Sequence, residues 1–332
     1  MTRQTEKKGG DMQAIVVEEL GGPDQLRITQ QPTPEPGPGQ IRVDIAVAGV
    51  NFMDTGARRL GAATGELPFV PGVEGAGRVS ALGEGVTEFA VGDRAAWVYA
   101  YGSYADQIVL PAADAVPVPD DISDEVAVSL MMQGITAHHF VTEAAGIQPG
   151  QVTVVHAAAG GLGQKLTQLI KARGGTVIAV VSSEQKAETA RRVGADHTVV
   201  STDDAFVDPV LRLTDGVGVD VVFDGGGETT FRASMNVLRR HGLLLYYGAV
   251  IGAVPVVNLR ELPHSIKISY PVFRDHIPTR EALLRHSRDL FHLVRHDLLD
   301  PGIGRRYPLN DAAQAHRDIE SRATSGKLLL FP

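Results

Sequence analysis

One segment constrains this chain more than any other. From Val152 to Gly174 the sequence reads VTVVHAAAGGLGQKLTQLIKARG, an apolar strand that runs through small residues straight into an amphipathic helix. The run Ala157-Ala158-Ala159-Gly160-Gly161-Leu162-Gly163 lets the backbone come close to a pyrophosphate. The new helix offers that anion its free N–H groups and the positive end of its dipole. Gly163 permits close packing of helix on strand. The strict G-x-G-x-x-G spacing is not met, because Ala158 stands where the first glycine would be. A second strand ending at Val181 supplies the βαβ context that separates a dinucleotide-binding turn from an ordinary one. Gly160, Gly161, Leu162 and Gly163 are therefore the first cofactor-binding candidates.

The same alternation continues downstream. Apolar strands TVIAVV, HTVV, VDVVFDGGG and LLLYYG alternate with helices SEQKAETARRVG and TFRASMNVLRRHG, the pattern of a parallel sheet covered on both faces. SIKISY, near residues 265–270, is expected as a last strand at its edge. A helix over Thr279 to Arg295, a second from Asp311 and a final strand KLLLF close the chain. Upstream of Asp121 the pattern differs. MQAIVVEEL, QLRITQ, IRVDIAVAGVN, VEGAGRVSALG, GDRAAWVYA and YADQIVLP read as short strands punctuated by glycine and proline, with only a turn or two of helix after Asn51. The fold class is α/β: a compact β domain beside a doubly wound parallel-sheet, Rossmann-type domain.

Composition removes several function classes. There is no cysteine, which excludes disulfides, iron–sulfur clusters and thiolate zinc sites. With 31 basic and 39 acidic residues the net charge is −8, and no basic run is interleaved with aromatics, so no nucleic-acid partner is expected. The uncharged stretch from Gly242 to Leu259 is interrupted by Gly248, Gly252, Pro255 and Asn258, and reads as a buried strand and loop, not a membrane span. The polar start MTRQTEKKGGD has no apolar core of a signal peptide. Residues 1–11 are expected as a flexible tail and the protein as cytoplasmic. His138-His139 lacks a third ligand at metal spacing, and no metal site is expected.

The end of the second βαβ strand bears on cofactor choice. An NAD site normally carries Asp or Glu there to hold the ribose 2′-hydroxyl. Here the strand ends in Ser182-Ser183, followed by Glu184, Gln185 and Lys186. Hydroxyls and an ammonium suit a 2′-phosphate, which favours NADPH. Glu184 counts against it, and the same serines would serve as a helix cap with Lys186 on a solvated face.

HAAAGGLGQ, PGVEGAGRV, GDRAAW and GVNFMD together resemble the medium-chain dehydrogenase/reductase superfamily, and within it the zinc-independent NADPH:quinone oxidoreductases related to zeta-crystallin. The resemblance runs from Met12 to Pro332. It implies a GroES-like catalytic domain from residues 12–134 and 274–332, a Rossmann domain over 135–273, and a homodimer formed through the strand around SIKISY. Zinc-dependent relatives have cysteine where Asn51 stands and histidine where this chain has Val73, and Met53 occupies their proton-relay position. The resemblance accordingly implies metal-free hydride transfer to a quinone or related conjugated carbonyl.

By the same resemblance Asn51 lies near nicotinamide and substrate as a catalytic residue, with Asp54 supporting it; both also fit plain helix-start chemistry. Gln133 and Thr136 line the cofactor cleft, Tyr247 and Gly248 meet the nicotinamide amide, and Lys186 and Arg322 attend the adenosine phosphate, beside the Ser182 hydroxyl read above from the strand end. Three departures stand out. Ser201 replaces a tyrosine that follows the phosphate-binding lysine in bacterial relatives, RRLGAATGELPF lacks the pocket tyrosine, and Tyr270 precedes Pro271 where an arginine is usual. Tyr99, Tyr101 and Tyr104 offer hydroxyls in their place, or serve as core strand residues. Two other functions remain: an enoyl-type reductase of a thioester or secondary-metabolite intermediate, and a non-catalytic NADPH-binding structural or regulatory protein.

Overall fold

A computed structural model describes residues 10–61, 66–248 and 255–332. In chain order the strands and α-helices among them begin with β1 (Asp11–Val16), β2 (Arg27–Pro32), β3 (Gln40–Val50), α1 (Phe52–Leu60), β4 (Glu74–Leu82) and β5 (Arg94–Val98). Next come β6 (Gln107–Pro111), β7 (Ala115–Pro117) and α2 (Asp124–His139). The middle of the chain holds β8 (Val152–His156), α3 (Gly161–Ala172), β9 (Thr176–Val181), α4 (Glu184–Arg192), β10 (His197–Val200) and α5 (Val207–Leu213). It continues with β11 (Val219–Asp224), α6 (Glu228–Asn236), β12 (Leu238–Tyr246) and β13 (Lys267–Ser269). The last are α7 (Phe273–His276), α8 (Arg280–Arg295), β14 (Ile303–Pro308), α9 (Ala312–Glu320) and β15 (Lys327–Phe331). They group into two units, one comprising the chain up to Met132 with Ile303–Pro332, the other Gln133–Gly302.

In the first unit a seven-stranded sheet runs β14-β15-β3-β4-β5-β7, with β6 also paired to β3. β3 explains the arrangement. Ile41, Val43, Ile45 and Val47 alternate inward while Arg42 and Asp44 turn out, as a strand buried on one face requires. One core gathers Val43, Ile45, Trp97, Ile108 and Leu110. A second gathers Ile15, Val50, Tyr104, Tyr307, Leu328 and Leu330, so residues from both ends of the chain share it. Gly75 is glycine for a reason of space, since a Cβ there would run into the Trp97 ring.

The second unit holds a six-stranded parallel sheet in the order β10-β9-β8-β11-β12-β13. Numbered within the unit this is 3-2-1-4-5-6, the doubly wound order whose reversal between β8 and β11 leaves a crevice at the strands' carboxyl ends. Val154, Ile178, Val180, Phe206, Val222, Phe231 and Leu244 form its core.

Four local expectations change. The helix after Asn51 is longer than a turn or two, reaching Leu60, because its polar residues include the buried Asp54 and Arg58. Leu238 to Gly242, expected to finish the helix of TFRASMNVLRRHG, belong to β12; Leu238 pairs with Val219, and a register shift follows it. α5 is additional. It carries Pro209 near its start, where proline is tolerated, and supplies the crossover that two parallel strands need. Tyr99, expected on a strand, sits just past β5 at φ +62°. No helix of the described residues is long and apolar enough to cross a membrane.

Candidate active site

In the second unit, the strand–turn–helix segment sits at the crevice. β8 ends at His156, Ala157 turns the chain at φ +50°, and α3 starts from Gly160 with no side chain capping its first N–H groups. Gly163 presses against the turn, where a Cβ would come 2.6 Å from the Ala158 Cα. Gly161 faces the Gln133 amide so closely that a Cβ there would collide with it, and the Gln133 Oε1 is buried without a partner. Uncapped helix N–H groups, a backbone without side chains and an unpaired amide oxygen fit a diphosphate with its nicotinamide. Leu162 and Thr136 are half-buried nearby in sequence on α3 and α2.

At the end of β9 the two readings of the serines divide between them. Ser183 caps α4, accepting from the Lys186 N–H at 3.4 Å. Ser182 is exposed, and its hydroxyl accepts from Lys186 Nζ at 2.9 Å. A hydroxyl and an ammonium thus meet where an NAD site would place a carboxylate, and they fit a 2′-phosphate. On the far side of the switch point, the Tyr247 N–H donates to Asp224 O at 2.9 Å, and Gly248 packs on Gly227. Burial pushes the Tyr247 hydroxyl far above its ordinary value. Asp224, which sequence reading passed over, is fully buried and satisfied by Gly226 N–H, Thr230 Oγ1 and Ser234 Oγ at 2.7–2.8 Å. It fixes the glycine run after β11.

In the first unit Asn51 and Asp54 come together at the start of α1. Asp54 Oδ2 accepts the Asn51 N–H at 2.8 Å, so helix-start chemistry is part of what Asp54 does. Burial pushes its carboxyl up to about 7, against the lowering effect of the Asn51 N–H and of Lys327. The Asn51 side chain is engaged at both ends. Its Nδ2 donates to Glu74 Oε1 at 2.7 Å, and its Oδ1 accepts from Lys327 Nζ at 2.9 Å. Lys327 also donates to Val50 O at 3.2 Å and pairs directly with Glu74 Oε1. Met132 N–H satisfies Glu74 Oε2 at 2.7 Å. Glu74 and Lys327 are completely buried. Sequence reading missed this pairing, although Lys327 is a single charge in the apolar strand KLLLF. Arg322 lies exposed just past α9 at φ +55°, and the segment replacing the pocket tyrosine falls partly outside the described residues.

These oxygens do not suit zinc. They come without thiolate or imidazole, and the Lys327 ammonium already stands among them as the cation they share.

Residues 37–120 match the alcohol dehydrogenase GroES-like domain, and residues 161–285 match the zinc-binding dehydrogenase model. A quinone oxidoreductase of Pseudomonas aeruginosa is 36% identical, with 94% of this chain and 97% of that protein aligned. This chain belongs to the quinone oxidoreductase family. A 2-haloacrylate reductase of Burkholderia is 35% identical, over 96% of this chain and 98% of that protein. Among solved structures, the Escherichia coli quinone oxidoreductase complexed with NADPH superposes with a TM-score of 0.92 at 33% identity, covering 96% of this chain and all of that one. As a quinone oxidoreductase family member within the medium-chain dehydrogenases/reductases, the protein is an oxidoreductase with a GroES-like domain and a Rossmann domain.

Proposed function

We propose that this protein is an NADPH-dependent, metal-free reductase that passes hydride to a quinone or a related conjugated carbonyl compound. The observation that carries the reading is the pairing of Ser182 with Lys186 at the end of β9, beside an uncapped glycine-rich helix start. Bound there, NADPH supplies the hydride; the chain's own residues bind and orient it and keep water out. Gly160, Gly161, Leu162 and Gly163 cradle the diphosphate, Ser182 and Lys186 hold the 2′-phosphate, and Gln133, Thr136, Tyr247 and Gly248 serve the nicotinamide end. Arg322 is assigned to the adenosine phosphate by the family resemblance alone. Asn51, locked by Glu74 and Lys327, presents a fixed amide near the substrate, and Asp54 supports it.

The family relative acting on 2-haloacrylate favours keeping activated alkenes beside quinones as acceptors. The exposed edge strand β13, with Ile268 partly uncovered, is the proposed homodimer contact.

The test follows NADPH absorbance with a small 1,4-quinone, a simple enone and an enoyl thioester in parallel. Oxidation with the quinone or enone, faster with NADPH than with NADH, is expected. Tight NADPH binding with no oxidation by any acceptor overturns the reading.

A further inference from the structure

Within the first unit a buried chain of polar groups leads away from Asp54. The Arg58 guanidinium, itself fully buried, donates from Nε to Gly21 O at 3.0 Å and from Nη2 to Glu320 Oε1 at 2.5 Å. Its Nη1 lies 3.0 Å from His316 Nδ1. His316 Nε2 lies 3.1 Å from the Tyr104 hydroxyl, which lies 3.2 Å from Asp54 Oδ2. Tyr104 and His316 are completely buried.

The direction of every bond in this chain is determined. A guanidinium can only donate, so His316 Nδ1 accepts. Burial, and then the charge of Arg58, hold the ring neutral by lowering its pKa to about 3. Its single proton is therefore on Nε2 and is donated to the Tyr104 oxygen. The Tyr104 hydrogen is left with one acceptor, Asp54 Oδ2. That oxygen already takes the Asn51 N–H, whereas Asp54 Oδ1 is buried with no partner.

We propose that Arg58, His316 and Tyr104 are positioning residues whose one-way chain of donors pins Asp54 by Oδ2 and reserves Oδ1 as the oxygen that takes up and gives back a proton. The charged and titratable groups facing Asp54 are Tyr104, Lys327 and Glu74. Burial raises its carboxyl to about 7, so the group exchanges its proton around neutral pH, while the Tyr104 hydrogen bond works in the opposite direction. The use of this proton rests on the reductase reading above. Hydride brings the acceptor two electrons and leaves it one proton short. The Oδ1–H bond breaks, its proton goes to the reduced acceptor, and solvent returns one proton per turnover.

The experiment is an infrared titration of the full chain, following the C=O stretch of a protonated buried carboxyl. A band titrating near pH 7 is expected, and Asp54→Asn should abolish it. Tyr104→Phe removes a donor to the charged form and should move the midpoint up by about one unit, a tenfold tighter proton. His316→Gln, whose amide can accept from Arg58 and donate to Tyr104, should keep the wild-type midpoint, and His316→Leu should shift it upward. A purely structural role for the chain predicts lower stability with an unchanged midpoint. An unmoved midpoint in Tyr104→Phe and His316→Leu, or a band surviving Asp54→Asn, overturns the proposal. The activity arm is separate. kcat/KM should fall as pH rises through the same midpoint and follow it in Tyr104→Phe; an infrared shift with turnover that ignores that midpoint overturns the proton's delivery from Asp54, whereas no turnover with any acceptor refutes the reductase reading and leaves the positioning chain standing.

Discussion

Lys327→Met tests the pairing at the centre of the first unit. The substitution keeps an unbranched side chain and deletes the ammonium that Val50 O, Asn51 Oδ1 and Glu74 share. Taking one partner from a completely buried ion pair costs about 3–5 kcal/mol, because the remaining charge has no solvent to turn to. Glu74 keeps two donors, Asn51 Nδ2 and Met132 N–H, both at 2.7 Å. The expected loss is therefore at the lower end, about 3 kcal/mol. Glu74→Gln strands the ammonium instead and should cost a similar amount. The double variant removes both charges of the pair, so it should be more stable than the sum of the singles by about 2–3 kcal/mol. Urea denaturation of the four proteins measures the cycle. Costs that add to within about 0.5 kcal/mol would refute the claim that these groups form one energetic unit.

Other substitutions reach other parts of the molecule. Lys186→Ala removes a point charge at a partly exposed site, worth about 1 kcal/mol in a water-like dielectric, so KM for NADPH should rise about fivefold with KM for NADH unchanged. Gly163→Ala puts a methyl into the Ala157–Ala158 backbone, which cannot swing aside, and should cost about 1–3 kcal/mol with loss of cofactor affinity, read by calorimetry. His139 is buried with both ring nitrogens unpartnered, and burial, followed by His276, lowers its pKa to about 3. The unfolded chain binds a proton there that the folded chain refuses, so stability falls as pH drops from about 6.5 toward 3. His139→Phe should flatten that acid limb in denaturation measured from pH 7 to 4.

What was legible in the sequence was whatever has a local signature. The turn from Ala157 to Gly163 and the β9 serines announce themselves because strand, turn and helix are contiguous, and the parallel sheet follows from the alternation of apolar strands and helices. LRRHG misled because two arginines and a histidine suit an exposed helix end as well as the outer rim of β12. The polar centre of the first unit was illegible for a different reason. Glu74 and Lys327 are 253 positions apart, and Arg58 and His316 are 258 apart; nothing in either local sequence marks the other as a partner. Tyr104 illustrates the limit well. It looked like an ordinary core tyrosine and is one, yet its hydroxyl joins Asp54 to His316.

The split of the first unit between the two ends of the chain sets an order of assembly. Gln133–Gly302 is one uninterrupted stretch and can complete its sheet while the ribosome is still working. β3 cannot receive β15 until the closing residues have emerged, although it was made long before. Until then Glu74 and Asn51 lack the ammonium that joins them. A nascent chain can therefore acquire its cofactor-type fold early, whereas its polar centre matures only once β15 has been made, and loss of that strand would leave the centre unfinished.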